Sequence, residues 1–199
     1  DCLKNGTRGS HSWLWIMLFL NVIGAGLYFF LVWIPQHPQV LNKLPFANRG
    51  KFRDALWQAE AEAKNIGKAH QYKKLGDIYY QMRKLDDAAQ AYDTAIEKEP
   101  TNIQALWGAA CVAMEQKNLA VARQHLKEIV TLQPEFSYGD ASLAYGQVLQ
   151  QMGDLDAAQA HLQTHVKSWS HPQAYLMLAE IQHKQGDHAE ARENLETMI

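Results

Sequence analysis

Nine histidines are the side chains here most suited to chemistry, and His161 and His165 stand four apart. On a helix that spacing sets two imidazoles on one side, where they can share a metal ion. A working site needs more ligands than that. No HExxH segment occurs and no carboxylates cluster around the pair, so the expectation is two surface histidines and no metal. His183 and His188 are five apart, a spacing that does not share a helix face. The chain has no GxGxxG, Walker-type or GxSxG segment, leaving nucleotide binding and serine hydrolysis without a motif. Cys2 and Cys111 flank a long apolar run and do not pair easily. With no CxxC they fit a reducing compartment, and Cys111 reads as a small buried hydrophobe. These residues point away from an enzyme, and to no cofactor and no small-molecule substrate.

The elements that carry these side chains are of two kinds. From Trp13 to Ile34 the chain has no charged residue and only one strongly polar one, Asn21. A helix of that length rises ~33 Å, enough for a hydrocarbon core of ~30 Å. The run is longer than a secretory h-region, ends in Trp33-Ile34-Pro35 and offers no small-residue cleavage site, so it reads as an anchor. Trp13, Trp15, Tyr28 and Trp33 lie towards its ends, where amphipathic rings prefer the headgroups. Gly24 and Gly26 lack GxxxG spacing. Lys4 and Arg8 precede the run, whereas Lys43, Arg49, Lys51 and Arg53 follow it, which puts the remainder on the cytoplasmic side. Residues 1–68 carry eight Lys/Arg against four Asp/Glu, and residues 69–199 carry eleven against seventeen. The basic part suits a membrane surface, and the acidic part argues against nucleic acid. Asp1-Cys2-Leu3-Lys4 with Trp13, Gly24 and Tyr28 resembles the second transmembrane helix of the small N-terminal module of cardiolipin synthases. That likeness implies a further helix before Asp1 and brings no catalytic function.

Beyond the anchor the sequence repeats. Ala88, Ala122, Ala158 and Ala191 align at spacings of 34, 36 and 33, and Pro100 and Pro134 are also 34 apart. Each unit holds two short amphipathic runs with helical spacing, separated by turn residues: Met82-Arg83-Lys84, Lys117-Asn118, Gly153-Asp154 and Gly186-Asp187. Small residues, including Gly76, Ala110, Gly146 and Ala179, fall where paired helices approach closely. In the first unit Tyr72, Leu75-Gly76, Tyr79, Ala88, Tyr92, Ala95 and Pro100 make the pattern resemble the tetratricopeptide repeat (TPR), whose period is ~34. The resemblance implies an all-α fold: a single transmembrane helix followed by an α-α superhelix of antiparallel pairs, a TPR solenoid. The expected organisation is an anchor with its flank (1–34), a proline-interrupted linker (35–49), a capping helix (50–68) and about four repeats within 69–199 (69–102, 103–136, 139–172 and 173–199). The cap is expected to pack Phe52, Ala55, Leu56, Ala59 and Ala63 on the first repeat. Phe136-Ser137-Tyr138-Gly139 lengthens one connection, and Ser170 replaces the third unit's proline.

In this family the first helix of each pair lines the inner surface. By register that places Lys73, Lys74, Asp77, Tyr80, Trp107, Met114, Leu143, Gln147, Leu176, Met177 and Glu180 on a partner-binding groove. Relatives that clamp chaperone tails hold a carboxylate with Lys and Asn, but Asp77 and Gly108 stand where two asparagines are expected, so that clamp is absent. The expected function is a membrane-anchored, non-enzymatic adaptor or scaffold. It binds a protein partner, as a peptide or helix, near the bilayer, in assembly or quality control of a membrane complex. One alternative is a stoichiometric subunit whose transmembrane helix packs into a larger membrane assembly. Another is an extracytoplasmic chaperone-like factor, resembling those of cytochrome c maturation.

Overall fold

The computed structural model describes residues 47–197, with side chains from residue 52. The expected anchor and most of the expected linker lie outside the described residues, among which no helix is long and apolar enough to cross a membrane. The repeats lie within one compact unit, Asp54–Ile199.

The described residues form helices and no strand. Helix α1 (Ala47–Ile66) begins three residues before the expected cap, taking Ala47, Asn48 and Arg49 from the linker. Four antiparallel pairs follow: α2 (Ala69–Gln81) with α3 (Leu85–Lys98), α4 (Ile103–Glu115) with α5 (Leu119–Leu132), α6 (Asp140–Met152) with α7 (Leu155–Ser168), and α8 (Pro172–Gln185) with α9 (His188–Thr197). Each pair also packs on the next.

Local chemistry sets these boundaries. Asn102 and Asn118 cap α4 and α5 by accepting from the backbone N–H of Ala105 and Val121, relieving donors that a helix start leaves unpaired. Ahead of Pro100 and Pro134, Glu99 and Gln133 turn to extended backbone, at φ −145° and −148°, because the proline ring crowds a helical predecessor. Helix α7 ends equally sharply at Trp169, φ −136°, although the next residue is Ser170 and not proline. Within every pair the reversal uses one left-handed residue five places before the aligned alanine. These are Arg83, Lys117, Gly153 and Gly186, at φ 61°, 60°, 82° and 93°.

Ala88, Ala122 and Ala158 are fully buried, as are Leu126 and Leu162 four residues beyond the latter two. Burying a leucine side chain stabilises by roughly 1.5–3 kcal/mol, so the repeating seam supplies much of the cohesion. Helix α1 covers the first pair through Ala59 and Ala63 against Leu75 and Ala91, with Leu56 at the edge. Two bonds reinforce this contact: Lys74 Nζ reaches Glu62 at 2.8 Å, and the Tyr79 hydroxyl donates to Glu60 at 2.8 Å. Ala55, expected on the packed face, is exposed.

The lengthened connection becomes a tight 3-10 turn, Phe136–Gly139. Ser137, Tyr138 and Gly139 are all left-handed, at φ 51°, 54° and 91°. At Gly139 a side chain is excluded twice over, by the backbone angle and because an added Cβ would lie 2.8 Å from the Trp169 ring. The turn leaves Tyr138 82% exposed and sends Phe136 back onto the second pair.

Candidate partner-binding groove

The first helices of neighbouring pairs touch, α2 with α4 and α6 with α8. Between α2 and α4 lies a concavity of about 350 Å³, lined by Lys73, Asp77, Tyr80, Tyr92, Gln104, Trp107, Gly108, Cys111 and Phe136. Its floor is Tyr92, which belongs to α3 and is only 2% exposed. The ring fits because two helices withdraw from it: a Cβ at Gly76 would lie 2.7 Å from the ring, and one at Gly108 would lie 2.4 Å away. Gly108 therefore occupies the expected asparagine position to make room for a tyrosine.

Polar groups are arranged around this floor. The Tyr92 hydroxyl donates to Asp77 Oδ1 at 2.9 Å, and Lys73 Nζ meets Asp77 Oδ2 at 2.8 Å. Tyr80 donates to Glu115, which also pairs with Arg83 at 2.6 Å. Burial, then the Asp77 charge, hold the Tyr92 hydroxyl well above its usual range. Its bond to Glu115, then burial, raise Tyr80 to about 12. Burial and then Glu115 raise Cys111 to about 11, so at neutral pH Cys111 is a thiol and a poor nucleophile. All of these groups are held in states suited to recognition by contact.

Lys73, Asp77, Tyr80 and Trp107 thus line one cavity. Trp107 is half-buried: its ring lies tilted against Phe136, with centroids 5.8 Å apart, and both pack against the Leu106–Leu126–Ile129 cluster. Lys74 turns away to Glu62 on α1, a correction to its place on the groove. Met114 and Leu143 are half-buried against the core clusters, and Gln147 is half-buried. Met177 is a second correction. At 5% exposure it belongs to the buried cluster with Leu162 and Leu178, because its register faces the preceding pair, as Gly108 faces Tyr92. Leu176, 41% exposed, and Glu180 instead line another concavity of about 350 Å³ with Ala179, His183, His188, Ala191, Arg192 and Leu195.

Tyr92 and Phe136 were missed from the sequence. The aromatic at a position that holds leucine in the later repeats, with glycine at 76 and 108, was the available signal for Tyr92. Phe136 had none, since its direction depends on the left-handed turn behind it.

The histidines also differ from expectation. His165 is 2% exposed, and its two ring nitrogens contact Ser142 Oγ and His171 Nδ1, each at 2.9 Å. His161 Nε2 donates to the Ser142 carbonyl at 2.8 Å, since that oxygen can only accept. The pair forms an internal polar junction between the third and fourth helix pairs. Burial lowers both pKa values; for His165, neighbouring His171 and His161 help bring it to about 4. His183 and His188 lie on successive helices, and the Gly186 reversal brings their Nδ1 atoms within 3.1 Å.

Stacked antiparallel helix pairs with an aromatic groove define a helical repeat protein of the class that makes protein contacts. A tetratricopeptide-repeat model matches residues 73–135 and 143–197, and a second matches 113–168. The chain belongs to the tetratricopeptide-repeat family. No curated protein matches its sequence. Among solved structures it is similar to MamA, at 19% identity over 75% of this chain and 88% of that one, with a TM-score of 0.69. It is also similar to pilF of Pseudomonas aeruginosa, at 20% identity over 77% and 70%, TM-score 0.62. A third is YrrB, described as a TPR protein with an unusual peptide-binding site, at 20% identity over 70% and 71%, TM-score 0.61. At these identities the likeness is one of fold.

Proposed function

We propose that this chain is a membrane-anchored, non-enzymatic adaptor that captures a peptide or helix of a protein partner between α2 and α4. The observation that carries this reading is the aromatic concavity centred on Trp107, formed by side chains from three helices and the 3-10 turn. Concave sites with apolar walls and a few fixed polar groups are where peptides and helices dock. The charge-free run Trp13–Ile34 supports anchoring, and the basic residues after it support repeats on the cytoplasmic side of the bilayer. Such an adaptor suits assembly or quality control of a membrane complex.

Crosslinking in intact membranes, followed by recovery of the bound protein, provides the partner for the test. Trp107→Ala should weaken its binding roughly thirtyfold or more, since buried aromatic anchors are worth ~2 kcal/mol or more. Because Trp107 also touches the core, Gln104→Trp gives an independent variant that fills the cavity from its exposed rim. Both variants binding as the parent, with helicity unchanged, would sink the groove. Protease added to oriented vesicles tests the topology; cleavage of 69–199 from the non-cytoplasmic side would overturn it.

A further inference from the structure

The groove holds rings from Tyr80, Tyr92, Trp107 and Phe136 and a carboxylate from Asp77. Aromatic faces carry the negative part of the ring quadrupole and attract cations, most strongly out of water. Asp77 is oriented for a second partner. Its Oδ1 accepts from the buried Tyr92 hydroxyl, which fixes the plane of the carboxylate, and its Oδ2 faces Lys73, whose side chain remains 23% exposed. A lysine–aspartate pair at i, i+4 contributes little to stability, so Lys73 is readily exchanged for a better-placed cation. The surrounding field favours that exchange: residues 69–199 carry eleven Lys/Arg against seventeen Asp/Glu, which draws positive ligands and repels negative ones.

We propose that the groove selects a basic peptide, whose arginine or lysine side chain lies against the aromatic rings and pairs with Asp77 in place of Lys73. This rests on the adaptor reading of the same groove, and the test separates the two. The immobilised full chain is panned against a random twelve-residue peptide library displayed on phage. The expected result is enrichment of peptides with one fixed Arg or Lys beside apolar residues. In a synthetic peptide from that set, replacing the arginine by citrulline, or a lysine by norleucine, should weaken binding about tenfold or more. Asp77→Asn should cause a similar loss with the basic peptide and make it indifferent to the neutral replacement. The amide oxygen introduced by Asp77→Asn still accepts from the Tyr92 hydroxyl, so this variant keeps the fold. If neutral and basic peptides bind alike but Trp107→Ala abolishes binding, the cation preference is wrong and the groove stands. If no peptide is enriched, or binding survives both Trp107→Ala and Gln104→Trp, the groove itself is wrong and this proposal falls with it.

Discussion

Four residues beyond the aligned alanine, the first pair carries Tyr92, whereas the second and third carry Leu126 and Leu162, and all three are at most 2% exposed. The tyrosine demands glycine at 76 and 108, and its hydroxyl reaches through to Asp77. The leucines make seams with no such outlet. Between the third and fourth pairs the polar group enters elsewhere, as Ser142, His161, His165 and His171 joined across α6, α7 and the start of α8. One repeat register therefore accepts two ways of burying polar atoms, since the cost of burial is met by a partner for each atom. In the first half the polar atoms open into a cavity. In the second half they bond to one another between helices, with Ser142 and His165 buried.

The largest test of this contrast is truncation at the shared position. Tyr92→Ala should cost about 3–5 kcal/mol in urea unfolding and Leu162→Ala about 2–5. Tyr92→Leu should cost more than an ordinary shape change, because the two glycines leave a gap around the smaller side chain. Adding Gly108→Ala should recover part of that loss. Recovery of nothing would mean the glycines serve another purpose.

Next in size are the glycines themselves. Gly76→Leu or Gly108→Leu should overpack the Tyr92 ring at about 1–3 kcal/mol. If either variant is as stable as the parent, the tyrosine floor is misplaced.

The second half should respond to acid. Burial lowers the folded-state pKa of His165 from 6.5 to about 4, so the unfolded chain binds the proton more readily. This stability is fully present above about pH 6.5 and declines as pH falls towards about 4. His161 shifts in the same direction. Hydrogen exchange should show α7 and α8 loosening over that window before α2 and α3 do. A His165→Leu chain with the same pH slope would contradict this.

The smallest effects concern the left-handed reversals. Gly153→Ala and Gly186→Ala should each cost about 1 kcal/mol purely from backbone strain, since nothing lies within 4 Å of either added Cβ. Lys117→Gly should gain a similar amount at the same turn. Thermal melts resolve both signs.

Much of this fold was legible from local pattern. A period set by small residues, turn residues and proline identifies helix pairs because helical spacing and helix termination depend on neighbours within a few residues. It also placed Lys73, Asp77, Tyr80 and Trp107 on the first helices, and the structure gathers those four around one cavity. The failures share a cause. Met177 and Leu176 are adjacent, yet one is buried and the other open, since which side of α8 is covered depends on how α7 packs against it. His183 and His188 meet only because the chain reverses at Gly186.

By itself, then, the sequence determined the class of fold, the register of the pairs and the places where the backbone must turn. The packing of one pair on the next alone decided that Tyr92 forms the groove floor, that Phe136 closes its wall and that His165 is enclosed. Those outcomes depend on contacts between residues up to several tens of positions apart.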